Sequence, residues 1–85
     1  MKKAEFEQKI FDICKPLVTK NIIQYGKTDN DIFPQGEFTP YAANYGYLTI
    51  FIHNWNGWSD RMVFEVHYNQ SRTKIEIMDN HYFKA

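Results

Sequence analysis

The segment from residue 45 to residue 69 reads YGYLTIFIHNWNGWSDRMVFEVHYN. It is rich in β-branched and aromatic residues on both sides of Asn56-Gly57, a dipeptide that favours a two-residue hairpin turn. Residues 61–69 also alternate between apolar and polar side chains, which is typical of a strand with one buried face. The segment therefore predicts two antiparallel strands, residues 45–53 and 61–69, joined by a tight turn.

A third strand is predicted further along the chain, because Thr73–Met78 alternates in the same way. A turn at residues 70–71 would join it to the second strand and would place Glu65 opposite Glu76. Residues 81–83 are predicted as a short extension. The region 45–83 is thus expected to be an antiparallel β-meander.

The register of the first hairpin has two solutions. A strict turn at Asn56-Gly57 pairs Phe51 with Met62 and leaves the aliphatic residues of the first strand on the outer side. A one-residue bulge between Asn54 and Asp60 reverses this parity and gathers the aliphatic side chains of all three strands on one face. We favour the bulged register. It leaves these residues on the opposite face: Tyr45, Tyr47, Thr49, Phe51 and His53.

Residues 1–26 are predicted to form a helix, because apolar residues recur there at spacings of three and four. The predicted stripe is Phe6, Ile10, Ile13, Cys14 and Leu17. Pro16 removes the hydrogen bond to the Asp12 carbonyl, so we expect either a bend near Lys15 or the start of a second helix. Gly26 is expected to end the helix in a left-handed conformation.

Residues 27–44 lack periodicity and carry Pro34, Gly36 and Pro40. They are expected to be a packed crossing, a short edge strand around Glu37–Thr39, or a functional loop. The predicted fold class is α+β. A single domain, 1–85, would consist of an N-terminal amphipathic helix, kinked near Pro16, packed on one face of a three- to four-stranded antiparallel β-meander. The other face of the sheet must then meet the 27–44 segment, a partner or a second copy of the chain.

The composition limits the function classes. Ten Lys and Arg balance ten Asp and Glu, so no net positive charge attracts a phosphate backbone, which argues against nucleic acid. No apolar run is long enough to span a bilayer, and acidic residues interrupt the start where a signal peptide needs an apolar stretch. The single cysteine, Cys14, excludes an intramolecular disulfide. We therefore expect a cytoplasmic protein without a membrane partner.

No catalytic motif, cofactor motif or metal motif is present, so the sequence predicts no enzyme, no cofactor and no metal. His53, His67 and His81 are evenly spaced in the sequence. Strand geometry nevertheless places the first two on opposite faces or roughly 20 Å apart, too far to share an ion. Cys14 lies on the apolar stripe of the helix and is expected to be a buried structural residue.

The predicted contact residues lie in three regions. The hairpin tip contributes Trp55, Asn56, Trp58, Asp60 and Arg61, the 27–44 segment contributes Phe33, Phe38 and Tyr41, and the uncovered sheet face contributes Tyr47 and Phe51. Tryptophan beside arginine is the composition of binding hot spots, although the two tryptophans could equally stack across the turn and only stabilise the hairpin.

The leading functional hypothesis is a small non-enzymatic protein-binding module that inhibits by occluding a surface of another protein or protein-containing complex. Phage counter-defence proteins, such as anti-CRISPR proteins, and toxin-immunity proteins are examples of this class. One alternative is a homo-oligomeric assembly protein, such as a homodimer formed through the uncovered face. The second alternative is a single-strand nucleic-acid binder that stacks bases on the sheet aromatics.

Overall fold

A computed structural model describes residues 2–54 and 57–85. The chain forms one small α+β domain in which an N-terminal helix packs on a four-stranded antiparallel meander with the strand order β1-β2-β3-β4. The helix α1 spans Lys3–Ile22 and continues as one 3₁₀ turn, Ile23–Tyr25. The strands are Glu37–Ala42 (β1), Tyr45–His53 (β2), Ser59–Tyr68 (β3) and Ile75–Phe83 (β4). The predicted fold class is confirmed.

The helix buries a row of residues spaced by four, together with Phe11: Phe6, Ile10, Phe11, Cys14, Val18 and Ile22. The predicted stripe was therefore wrong at Ile13 and Leu17, which are exposed. Positions four apart lie nearly above one another on a helix, so a row that begins at Phe6 brings Val18 onto the sheet and turns Leu17 away.

No helix in the described part of the chain has both the length and the apolar character that crossing a membrane requires.

Pro16 lies inside α1 without dividing it, so the alternative of a second helix starting there is excluded. The bend near Lys15 stays a prediction. Gly26 ends the helical segment with a φ of 73°, and its N–H donates to the Ile23 carbonyl oxygen at 3.0 Å. The left-handed glycine cap predicted from the sequence is confirmed.

The register between β2 and β3 has the parity of the bulged alternative. Ile50 pairs with Met62 and Leu48 with Phe64, and all four side chains are buried beneath α1. The last pair before the connection is His53 with Ser59. The extra residue that distinguishes this register from the strict turn therefore lies within residues 54–58. Trp55 and Asn56 of this segment are outside the described residues.

The connection between β3 and β4 is longer than predicted. The Asn69 side chain organises it: its amide nitrogen donates to the Thr73 hydroxyl at 2.8 Å, and its oxygen accepts from the Thr73 and Lys74 N–H groups. A two-residue turn at 70–71 was therefore wrong, because Asn69 stabilises a wider loop in which Arg72 adopts a φ of 61°. As a result Tyr68 pairs with Ile75.

A bulge in β4 then changes which of its residues face the helix. Val66 pairs with Ile77 whereas Glu65 pairs with Asp79, so Met78 is the additional residue. Beyond it the strand continues to Phe83 as a regular part of the sheet. The predicted opposition of Glu65 and Glu76 was wrong, because the wider loop and this bulge together shift the pairing by three residues.

The 27–44 segment forms the edge of the sheet. Ile32 forms an isolated bridge with Ile52, and β1 then pairs with β2 along Glu37–Ala42. Gly46 of β2 lies close to this edge: a Cβ there would be 2.6 Å from the Thr39 carbonyl oxygen, which explains the glycine. The edge-strand alternative is thus confirmed, with a strand longer than the predicted one.

Candidate functional site

The face of the sheet turned away from α1 is called here the outer face. The strand register defines four rows of it across β2, β3 and β4. They are Phe51-Arg61-Phe83, Thr49-Val63-His81 and Tyr47-Glu65-Asp79, followed at the far end by Tyr45-His67-Glu76. The helix α1 lies on the opposite side of the sheet, and the 27–44 segment extends the sheet sideways, with its Phe33 beside Phe51.

The end of the outer face nearest the β2–β3 connection is called the hairpin end. Arg61 lies with its guanidinium carbon 4.9 Å from the Phe83 ring centre, and its other neighbour in the row is Phe51. Phe33 extends the row beyond β2, because its N–H donates to the Phe51 carbonyl oxygen at 2.9 Å. The hairpin end therefore presents one cation over the Phe83 ring, with Phe51 and Phe33 beside it in the same row, and arginine and aromatic residues are enriched at protein interfaces.

The opposite end is called the tyrosine end. Tyr41, Tyr45 and Tyr47 lie with ring centres 5.3 to 6.3 Å apart. The imidazole of His67 stacks on Tyr45 at 5.2 Å and pairs with the Glu65 carboxylate at 2.8 Å. The Tyr47 hydroxyl donates to the same carboxylate at 3.4 Å. Burial, together with the Glu65 charge, raises the pKa of Tyr47, so its phenol stays protonated.

Charge on the outer face is unbalanced. The outward-facing strand positions of the described residues carry one basic residue, Arg61, and four acidic ones: Glu37, Glu65, Glu76 and Asp79. This is a formal excess of three negative charges, although the whole chain has a net charge of zero. The acidic residues lie at the centre and the tyrosine end, so the outer face has a cationic end and an anionic end.

Five of the predicted contact residues come together on the outer face: Phe33, Tyr41, Tyr47, Phe51 and Arg61. Tyr41 is 69% exposed, and Trp58, at the β2–β3 connection, is 72% exposed. Trp55 and Asn56 lie outside the described residues. The structure thus brings together residues from all three regions that the prediction treated separately.

Two predicted contact residues point inward instead. The Phe38 ring is 6.0 Å from Phe6 and 6.1 Å from Tyr68, so it belongs to the core. Asp60 is 1% exposed on the helix side of the sheet. Neither residue offers its side chain to a partner on the outer face, and we leave both out of the proposed contact surface.

Sequence reasoning missed Phe83, Glu65 and His67 as members of this surface. Phe83 reaches the outer face only because of the bulge at Met78, which reverses the alternation of β4. A β-bulge leaves no clear mark in the alternation of so short a strand. Glu65 and His67 lie on the outer face of β3, and the tyrosine neighbours that make them part of a cluster depend on the pairing of β1 with β2.

Asp60 binds three donors inside the fold. Its Oδ2 accepts from the Tyr82 hydroxyl at 2.6 Å, and its Oδ1 accepts from the Ala85 N–H at 2.8 Å and the Asn54 amide at 3.0 Å. Burial raises the pKa of Asp60, but these hydrogen bonds and the nearby Lys27 charge outweigh it, so the pKa lies below its ordinary value of 3.8. The carboxylate thus fastens residues 82–85 to the β2–β3 hairpin.

We expect a specific acid sensitivity from Asp60. Because its pKa is lower in the folded chain than in the unfolded chain, its contribution to stability is complete above the ordinary value of 3.8 and is lost as the pH falls below it. The measurement is urea unfolding of the parent and of Asp60→Asn at a series of pH values. The difference between them should shrink towards low pH, and a constant difference would contradict the assignment.

Other chemically reactive groups give no second candidate. Burial raises the pKa of the Cys14 thiol to about 12, which keeps it protonated and unreactive. Among residues 2–54 and 57–85, no three His, Cys, Asp or Glu side chains lie close enough together to hold a metal ion. A groove of about 500 Å³ lies between α1 and the β1 edge. It is lined by residues such as Lys3, Glu7 and Gln35, and it gives no second candidate site.

A scan against protein-family models, a search of curated proteins and a search of solved structures found no match to this chain. The geometry of the outer face therefore carries the functional argument.

Proposed function

We propose that this chain is a non-enzymatic protein-binding module that acts as an inhibitor by covering a surface of a protein or protein-containing complex. The observation that carries the proposal is the outer face, which presents aromatic clusters at both ends, separated by the Thr49-Val63-His81 row, on the side of the sheet turned away from α1. Tyrosine, phenylalanine and arginine are the residues enriched at protein interfaces. Their rings provide large contact areas while few torsions must be fixed on binding.

The two alternative functions are less compatible with the outer face. A single-strand nucleic-acid binder needs a basic groove beside its stacking rings, whereas this face has an excess of three carboxylates. A homodimer through the same face would bring two acidic surfaces together, and like charges in contact oppose association. Both considerations favour a different protein as the partner.

The test is affinity capture from the native cell lysate with two matched double variants. Tyr41→Ala/Phe51→Ala removes rings from both ends of the outer face, and Ile13→Ala/Ile23→Ala removes exposed apolar side chains from the helix. Circular dichroism establishes that each variant is folded. We expect one stoichiometric partner with the parent and with the helix variant, and its loss with the outer-face variant.

The opposite pattern would overturn the proposal. If the helix variant loses the partner and the outer-face variant keeps it, the binding surface lies on α1. If parent, helix variant and outer-face variant all capture nothing above background from the lysate in which the chain is expressed, the binding function itself is wrong.

A further inference from the structure

The charge pattern of the outer face restricts the chemistry of its partner, and this inference rests on the proposed function. We propose that the partner presents a basic protein surface, with lysine or arginine side chains, to the tyrosine end of the outer face. The acidic end alone does not define the contact. Aromatic side chains, an excess of carboxylates and a depression in the sheet surface occur together at this position.

The centre of this contact is a shallow depression of about 190 Å³ in the sheet surface. Its lining begins at Tyr47 and the carboxylates of Glu65 and Asp79, at the tyrosine end. It continues across Val63 to His81 and to Phe83, whose ring already contacts the Arg61 guanidinium. A lysine ammonium or arginine guanidinium fits such a place, because it can pair with the carboxylates while it lies against a ring face. The rings of Tyr41 and Tyr45, which lie against Tyr47 beside the depression, supply apolar contact for the rest of the partner surface.

The strand pairing places two carboxylates side by side in this depression. Glu65 and Asp79 are direct neighbours across β3 and β4, where two like charges destabilise the pair. His67 pairs with Glu65, and the Asn80 N–H donates to Asp79 Oδ1 at 2.8 Å. Among the described residues, however, no arginine or lysine occupies an outward strand position within one row of Asp79. A cation from a partner would relieve the repulsion, so binding and charge neutralisation would favour each other.

The one basic residue of the outer face lies at the other end. Arg61 pairs with Phe83 and Phe51, two rows from Glu65 along β3, which is about 13 Å at the rise of a β-strand. A second copy in an antiparallel stack could place Arg61 over the tyrosine end, but each copy brings one arginine against four carboxylates. The charges therefore select a partner that is basic throughout this region.

The test uses the intact chain and a nona-arginine peptide as the probe of basic protein chemistry. In a ¹⁵N NMR titration we expect the peptide to shift the amides of Tyr47, Glu65 and Asp79, and to bind more weakly as the salt concentration rises. Glu65→Gln/Asp79→Asn should weaken binding roughly tenfold, because it removes both charges while it preserves shape. Glu5→Gln/Asp12→Asn, which removes two exposed carboxylates from α1, should leave the affinity unchanged.

Several results would overturn the inference. The first two are chemical-shift changes on peptide addition that map to α1, and an equal loss of peptide affinity in both double variants. The other two are tighter binding of single-stranded oligothymidine to the amides of Tyr47, Glu65 and Asp79, and a concentration-dependent dimer in sedimentation that buries these residues. The capture experiment separates this inference from the proposed function. If Glu65→Gln/Asp79→Asn still captures the partner that Tyr41→Ala/Phe51→Ala loses, only the basic-partner inference fails.

Discussion

Phe64→Ala is expected to lower the free energy of unfolding by about 3–5 kcal/mol. Phe64 is fully buried and lies on the inner side of β3, where it pairs with Leu48 and faces α1. The truncation removes a large apolar side chain from water-free surroundings and leaves a cavity that close-packed neighbours fill only in part. A domain of this size has a total stability of roughly 4–13 kcal/mol, so the change would remove much of it.

Phe51→Ala is the matched control, because the same truncation on the outer face should lower the free energy of unfolding by only about 1 kcal/mol. Urea unfolding followed by circular dichroism measures both. Where Phe64→Ala fails to fold, Phe64→Leu provides a milder comparison on the same side of the sheet. Equal losses for Phe64 and Phe51 would contradict the observed register, since the strict two-residue turn would have placed Phe51 on the core side.

The fold class was predictable because the alternation of apolar and polar residues and the turn-forming composition of the Asn56-Gly57 dipeptide are local signals that extend over a few residues. The preference for the bulged parity also came from the sequence, since only that parity collects the aliphatic residues of β2 and β3 on one face. The observed pairing of Ile50 with Met62 has this parity. Burial of a common apolar face was thus a stronger guide than the turn type.

The sequence predictions that were wrong concern features that depend on tertiary contacts. The helix stripe could be drawn through Leu17 or through Val18, and only the position of the sheet beneath α1 decides between them. The wide loop after β3 depends on the Asn69 side chain, and the bulge at Met78 depends on the pairing of two strands. None of these choices changes the local alternation of apolar and polar residues.

The candidate site was predictable in its residue types and only partly in its location. Exposed aromatics and Arg61 were chosen for their composition, and most of them share the outer face. Phe38 and Asp60 were chosen for the same reason, yet they lie inside, because side-chain direction alternates along a strand and reverses at each bulge. The unbalanced charge of the outer face emerged only after the register had assigned Glu37 and Asp79 to it.

Asp60→Ala is expected to lower the free energy of unfolding by about 3 kcal/mol. The change removes the acceptor for the Tyr82 hydroxyl, the Ala85 N–H and the Asn54 amide, and it leaves these part-buried donors without it. A donor left without its acceptor costs about 1–3 kcal/mol when buried, and solvent reaching the edge of the sheet reduces the total. Urea unfolding at neutral pH gives the size of the loss.

Two further measurements distinguish this hydrogen-bond role from a simple loss of charge. Asp60→Asn keeps the Oδ1 acceptor and should lose less stability than Asp60→Ala, because the Ala85 N–H and the Asn54 amide can still donate to it. Hydrogen exchange should accelerate at Tyr82 and Ala85 in the alanine variant before it does so in β2 or β3. Uniform acceleration across all four strands would mean that Asp60 supports the whole sheet rather than the attachment of residues 82–85.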